Sequence, residues 1–300
     1  MIPASRILSI FLLSALLLAC SGEKPVSCLP YDLNKPAEVL KLPGRLKEIS
    51  GITFWNISKM ACVQDEKGII YLYDIRKEKI KKELSFGDDK DYEGITNVHD
   101  TLYVLCSNGD IFEVEQPGLD SQLTTTYKTF LNKHNNCEGL CFDESNQRLL
   151  IACKGRPAKG TAAKSMKAIY SFSLQTKTLD PSPVYEVDPD TVMNWLHEEE
   201  KKYSSWTDVF TSSTHDEKDG LFEPSELAIH PVTRELYLLS SVGKKLVVLN
   251  TDGSIKCVVR LDPHMYKQPE GITFSPEGDM YISDEGKEGK ANILHFAYQQ

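Results

Sequence analysis

The sequence predicts an all-β fold, a β-propeller made of four-stranded blades. Three observations carry this: a short motif recurs at a near-constant interval, each recurrence opens the same succession of strands, and a spare strand stands at one end where the last unit lacks one. The motif reads Glu48-Ile49-Ser50-Gly51-Ile52-Thr53-Phe54, Tyr92-Glu93-Gly94-Ile95-Thr96, Cys137-Glu138-Gly139-Leu140-Cys141-Phe142, Glu223-Pro224-Ser225-Glu226-Leu227-Ala228-Ile229 and Pro269-Glu270-Gly271-Ile272-Thr273-Phe274. With Gly51, Gly94, Gly139, Glu226 and Gly271 as one marker column, the spacings are 43, 45, 87 and 45 residues. Four short strands and their turns fill such an interval. One unit cannot bury both of its faces, whereas units stacked around an axis can.

The chain opens with an address. Arg6 precedes the apolar run Ile7 to Leu18, which leads into Ala19-Cys20. A basic start followed by a hydrophobic run too short to be an ordinary membrane span is an export signal. The cysteine directly after Leu-Leu-Ala resembles a bacterial lipobox, a signal cut before its cysteine, which is then acylated. Residues 1–19 are therefore expected to be a lipoprotein signal peptide, Cys20 the lipidation site and residues 20–37 a lipidated tether. Several acyl chains make such anchorage durable.

The propeller is expected over residues 38–300. Ala37 to Leu42 is a strand with no unit of its own, and the last unit ends after its third strand, Asn292 to Phe296. Pairing the first segment with Ile293–Tyr298 closes the ring and leaves no open edge. In between, third strands rich in aromatic and β-branched residues fall at Ile69–Tyr73, Ile111–Val114, Ala168–Phe172 and Leu246–Leu249. Fourth strands fit Ile80–Phe86, Thr125–Phe130, Pro183–Val187 and Ser254–Leu261. The 87-residue interval is twice the usual one and admits a sixth, degraded blade. Yet the third unit is complete by Val187, and Val192, Trp195, Leu196 and Tyr203 suit one face of an amphipathic helix. Five blades with a helix-and-loop insertion at about 189–222 are expected, six blades being the alternative.

Seven cysteines follow Cys20, an odd number. Cys62, Cys106 and Cys153 lie at matching places in second strands and are expected to be buried and reduced, packing as small hydrophobes. Cys137 and Cys141 are four apart without a second metal-binding pair nearby, so no zinc site is expected. The chain has 34 Lys+Arg against 43 Asp+Glu, a net charge of −9, and is 41% hydrophobic. This excludes a wholly disordered chain and gives no general electrostatic reason to bind nucleic acid.

The ordered set Ile49-Ser50-Gly51-Ile52, Glu93-Gly94-Ile95, Glu138-Gly139-Leu140 and Pro269-Glu270-Gly271-Ile272, with the ending Gly278-Asp279-Met280-Tyr281-Ile282-Ser283-Asp284-Glu285, resembles the SdiA-regulated protein family. The resemblance spans about residues 38–298 and departs from the pattern at Glu226 and at the insertion before it. It implies a propeller of an exported or envelope protein, and no particular activity.

The candidate site follows from the marker column. Glu93, Glu138 and Glu270 stand just before the marker, where Ser50 and Ser225 stand in the other two units. Those two have Glu48 and Glu223 two residues earlier, which strand alternation returns to the same face. Glu226 is an additional carboxylate. One acid per blade thus surrounds one end of the channel, because the first strand of each blade lies nearest the axis. Like charges so placed need a cation, raised pKa values or bonds to backbone amides. Calcium suits the first reading, with Glu93, Glu138 and Glu270 as its ligands. In the second, each acid accepts N–H bonds from the adjacent blade and locks the ring.

Loops after the second strands share that end and bring Lys154, Arg156, Asp284 and Glu285. Mixed polarity in a concave mouth suits a small polar ligand or ion; a protein partner of the envelope is the other occupant. The seven histidines lack metal-ligand spacing, and His215 to Gly220 reads as a solvated turn rather than a calcium loop. No nucleophile elbow, P-loop or dinucleotide pattern occurs. The expected function is that of a binding lipoprotein held to a membrane of the bacterial cell envelope. A calcium-dependent hydrolase or lactonase using the axial carboxylates is the alternative. The sequence does not decide whether the protein is an enzyme.

Overall fold

A computed structural model of the protein describes residues 28–157, 165–204, 221–286 and 289–299. The first blade is β2 (Ile49–Asn56), β3 (Lys59–Gln64), β4 (Ile69–Asp74) and β5 (Lys79–Ser85). The second is β6 (Tyr92–Val98), β7 (Thr101–Cys106), β8 (Ile111–Glu115) and β9 (Leu123–Tyr127). In the third, β10 (Cys137–Asp143), β11 (Arg148–Cys153) and β12 (Lys167–Ser173) are followed by two short edge strands, β13 (Thr178–Leu179) and β14 (Tyr185–Val187), both paired with β12. The fourth is β15 (Glu226–Ile229), β16 (Leu236–Ser240), β17 (Lys245–Leu249) and β18 (Ile255–Arg260). The fifth joins β19 (Pro269–Phe274), β20 (Met280–Asp284) and β21 (Asn292–Phe296) to the N-terminal β1 (Glu38–Lys41).

The first strands of the five blades form a closed circle: β2 lies beside β6, β6 beside β10, β10 beside β15, β15 beside β19, and β19 beside β2. Closure is as the sequence predicts, with Glu38 opposite His295, Val39 opposite Leu294, Leu40 opposite Ile293 and Lys41 opposite Asn292. Ala37 N and Leu42 N extend the pairing to the carbonyls of His295 and Ala291, at 2.7 and 2.9 Å. Each sheet is covered on both faces by its neighbours, which is why strands such as β17 are buried along their whole length. The core is accordingly five apolar layers, one between each pair of adjacent blades. Burying these layers is what holds the ring together.

Five blades, not six, account for the long interval. Among its described residues lies a helix, α1 (Pro189–Ser204), rather than a sheet. Asp188 caps it: its Oδ1 accepts from Asp190 N at 3.2 Å and its Oδ2 from Thr191 Oγ1 at 2.9 Å, with Pro189 at the first helical position. Val192 and Leu196 are buried in the layer between the third and fourth blades. Val209 to Thr211 and His215 to Gly220 lie outside the described residues, as do the signal peptide (1–19) and Cys20.

The expected tether needs a correction. From residue 28 onwards the segment belongs to the folded body: Leu29, Tyr31 and Leu33 are buried against the fourth and fifth blades. Tyr31 donates to Gly278 O at 2.5 Å and meets His230 Nε2 at 2.8 Å. A disulfide joins Cys28 to Cys257 in β18, across 229 residues of sequence. Leu29, Tyr31 and Leu33 do alternate at a strand period, but Pro30, Asp32, Asn34, Lys35 and Pro36 between and after them give the segment a linker's composition. Cys62, Cys106 and Cys153 are buried and free, as expected.

Candidate functional site

Backbone geometry, not side-chain alternation, sets the site. In three blades the pairing between first and second strands skips one residue: from Tyr92–Cys106 to Gly94–Leu105, from Cys137–Cys153 to Gly139–Ala152, and from Pro269–Asp284 to Gly271–Ser283. The skipped residues are Glu93, Glu138 and Glu270. A β-bulge leaves its extra residue outside the ladder and re-aims the side chain. The glycine after each acid then admits the next blade. A Cβ on Gly94 would stand 2.8 Å from Leu140 Cβ, and one on Gly139 would stand 2.6 Å from Leu227 Cδ2. The serine blades use the same column differently. Ser50 Oγ donates to Tyr92 O at 2.7 Å and Ser225 Oγ to Pro269 O at 3.0 Å, stitching each blade to the following one.

Four carboxyls and a lysine share one electrostatic site at this end. Glu138 is buried, accepts from Asn136 Nδ2 at 2.6 Å and pairs with Lys154 Nζ at 3.2 Å. Glu270 accepts from Gln268 and Ser241. Glu226, 1% exposed, places Oε1 on Leu140 N at 2.6 Å and on Leu227 N at 3.0 Å, while its Oε2 is buried without a hydrogen-bond partner. Burial, followed by the charges of Glu138, Asp91 and Glu270, pushes Glu93 up to about 10. Burial and Glu138 push Glu270 up to about 7 against the opposing pull of Lys154. Glu138 is also raised, because burial outweighs Lys154, and burial holds Glu226 well above the carboxylate range. Lys154 stays charged: burial lowers its pKa, but Glu138, Glu270 and Glu223 together raise it. Lys167 donates to Lys154 O at 2.6 Å and lies 4.0 Å from Glu223 Oε1.

The remaining expected residues divide. Glu223 reaches this end through Lys167 and Lys154. Glu48 precedes β2, whose pairing with β3 shifts between Ile49 and Ile52. It lines a cavity of about 300 Å³ with Arg45, Lys67 and Glu83, and it acts on Asp65. Asp65 has a buried, unpartnered Oδ1 and is pushed up to about 6 by burial, then by Glu48, Glu66, Glu285 and Asp91. Arg156 is exposed, its loop held by backbone bonds to His134 O and from Asn135 Nδ2. Asp284 and Glu285 stand behind Glu270. Asp284 accepts from Lys267 N and Gln268 N at 3.0 and 2.5 Å, and Glu285 accepts from Gln268 Nε2.

A second polar column escaped the sequence reading. Asp91, Asn136 and Gln268 each stand two residues before an acid of the ring and bond to it, Asp91 to Glu93, Asn136 to Glu138 and Gln268 to Glu270. Among the described residues, no group of three or more His, Cys, Asp or Glu side chains is arranged to hold a metal ion. The opposite end of the channel differs in character: a cavity of about 240 Å³ is lined there by Phe54, Phe142, Ile229 and Phe274.

A family model described as SdiA-regulated matches residues 31–287. The chain belongs to the SdiA-regulated family. The SdiA-regulated match begins at Tyr31, so it takes in Tyr31 and Leu33 of the docked N-terminal segment but not Cys28 or Leu29. No curated protein matches the sequence. Among solved structures, the glutaminyl cyclase of Myxococcus xanthus is 12% identical over 88% of this chain and 95% of its own, with a TM-score of 0.52. A chain of a mitotic checkpoint complex is 10% identical over 99% of both chains, with a TM-score of 0.50. A Bacteroides thetaiotaomicron VPI-5482 protein of unknown function is 11% identical over 79% of this chain and 52% of its own, with a TM-score of 0.47. The first two likenesses are of fold. The SdiA-regulated chain has a propeller architecture with a channel able to take a ligand, and its chemistry rests on its own residues.

Proposed function

We propose that this SdiA-regulated protein is a lipoprotein of the bacterial cell envelope that binds a small ligand with a positive group, or a cation, at the acid-lined mouth of its channel. One observation carries the reading: β-bulges turn Glu93, Glu138 and Glu270 out of their ladders at the same end of the channel as Glu226, where burial and neighbouring acids push all four above the ordinary carboxylate range. A proton is the smallest cation such a mouth can take up, and a larger one relieves the same repulsion by displacing it. Calcium, with Glu93, Glu138 and Glu270 as ligands, is the candidate that hard carboxylate oxygens suit, and its binding would have to draw together acids that do not form a metal cluster here. Lys154 and Lys167 offer partners for an anionic part of an organic ligand. Anchorage through Cys20 belongs to this reading and is supported by the lipobox. The Cys28–Cys257 bond supports it too, because disulfides persist in oxidising compartments.

Calorimetric titration of the metal-stripped protein with calcium chloride, and separately with spermidine, tests the proposal. Binding should tighten between pH 6.5 and 8.5 and release protons, seen as heats that depend on the buffer's ionisation enthalpy. Folded protein that binds neither probe at millimolar concentration would defeat the cation reading. The hydrolase or lactonase alternative needs calcium at these same acids to activate water, so absence of calcium binding ends it as well.

A further inference from the structure

Cys137 and Cys153 face each other across β10 and β11, with sulfur atoms 3.8 Å apart. Both are fully buried, and both are thiols in this structure. The surrounding backbone bonds define the pairing. Lys154 N donates to Asn136 O at 2.9 Å, and Cys137 N donates outward to Ser107 O of the second blade at 2.9 Å. The two cysteines are therefore a non-hydrogen-bonded cross-strand pair, the kind whose Cα atoms approach to about 4.5 Å. A disulfide spans Cα separations of about 4.4–6.8 Å. Rotation of the two side chains brings the sulfurs into bonding range without moving either strand out of register.

The position of the pair gives it a consequence. Glu138 follows Cys137 directly, Lys154 follows Cys153 directly, and these two form the ion pair at the channel mouth. Asn136, which donates to Glu138, immediately precedes Cys137. The sulfurs thus lie between the two backbones that present the mouth. The bulge beside Cys137 leaves Glu138 outside the ladder, so fewer strand bonds hold that backbone in place.

We infer that Cys137 and Cys153 are a redox couple, a cross-strand disulfide in the oxidised protein and a buried dithiol in the reduced one, whose state sets how firmly the Glu138–Lys154 pair is held. The reaction is thiol–disulfide exchange with a small or protein disulfide. Each cysteine gives up its proton and the two sulfurs join. The pair of electrons passes to the oxidant, whose S–S bond breaks and whose sulfurs take up the two protons as thiols. Both thiols are closed off from solvent, so exchange proceeds during folding or on opening of the β10–β11 edge. The couple stands whatever the mouth binds.

The test refolds the full chain in glutathione buffers from strongly reducing to strongly oxidising, followed by acid quenching, alkylation and peptide mapping. Oxidising buffers should yield a Cys137–Cys153 linked peptide and remove two of the five alkylatable thiols among the described residues, at Cys62, Cys106, Cys137, Cys141 and Cys153. The Cys28–Cys257 peptide is the internal control, and mapping the unaltered protein makes the result independent of whether a Cys153→Ser variant folds. Protein that carries the control linkage but no Cys137–Cys153 linkage at any ratio overturns the couple, as does linkage of Cys137 to Cys141. Hydrogen exchange then reads the coupling. Amides of residues 136–140 and 152–155 should exchange at least tenfold more slowly in the oxidised form, and equal rates overturn the effect on the mouth. Neither readout involves calcium or spermidine, so failure here is separate from failure of the binding proposal.

Discussion

Glu226 Oε1 lies 2.6 Å from Leu140 N, across the boundary between the fourth and third blades. Three other blades have a glycine after a glutamate where the fourth has Glu226, so the departure from the repeat is an inter-blade bolt. This acid behaves as a backbone acceptor, while Glu138 and Glu270 take side-chain partners. Substituting the consensus should therefore do harm. Glu226→Gly strands the buried Leu140 N–H and should cost about 1–3 kcal/mol. Glu226→Gln keeps an acceptor oxygen and should cost less. Thermal unfolding of both variants checks the order, and a stabilised Glu226→Gly protein would contradict the bolt.

The alkaline limb of stability belongs to Glu93 and Glu270. Their folded pKa values lie above the ordinary value of 4.5, so the native state binds more protons than the unfolded chain above that pH. Stability is complete below about 4.5 and is lost as pH rises, through about 7 for Glu270 and onward to about 10 for Glu93. Glu93→Gln removes a group that must ionise when buried. Its Tm should match the parent at pH 4.5 and exceed it at pH 8.5 by roughly 2–8 °C, the equivalent of about 1–2 kcal/mol. Calorimetric scans at the two pH values decide this.

The acid limb has a different owner. His230 is fully buried; its Nδ1 accepts from Val232 N and Thr233 N, both at 3.1 Å, and its Nε2 faces Tyr31 OH. Burial lowers its pKa from 6.5, with Glu235 opposing and Lys256 assisting. The unfolded chain then binds the extra proton, so this contribution is present above 6.5 and fades as pH falls below it. His230→Gln should be less stable than the parent at pH 7.5 and should lose less on going to pH 5. Equal acid sensitivity of the two proteins, measured by urea unfolding, would remove His230 from this role.

Truncation separates the docked segment from ring closure. Deleting residues 21–34 removes the disulfide and the buried Leu29, Tyr31 and Leu33, and should cost about 2–5 kcal/mol. Deleting 21–42 also removes β1 and opens the fifth blade, so its loss should be larger. Thermal midpoints of the two truncations, with and without reductant, give the comparison. A first truncation as stable as the parent would show that the segment contributes nothing.

The repeat was legible because backbone geometry imposes it. A bulge that throws out an acid, and a close approach that tolerates no Cβ, favour Glu-Gly at three of the five recurrences in sequence, as at Gly94 and Gly139. In the first blade the pairing shift between Ile49 and Ile52 means that simple alternation does not by itself fix the face on which Glu48 lies. Asp91, Asn136 and Gln268 were less visible because the column mixes an acid with two amides, united by position rather than by residue type. In sequence Asp65 is one of several polar residues that follow the second strands, and its buried Oδ1 is what sets it apart. The partner of Cys28 was not readable at all, for ring closure alone brings residues 229 positions apart together.

The Cys28–Cys257 bond also decides where mechanical tension goes. A pull applied at the N-terminus and travelling along the chain reaches Cys28 before it reaches β1. There it passes through sulfur into β18 of the fourth blade, and the β1–β21 ladder that closes the ring is bypassed. With the bond reduced, the same pull would peel Tyr31 and Leu33 from their seats and then unzip β1, one residue pair at a time. One covalent bond thus moves the load of such a pull from the seam that closes the ring to the fourth blade.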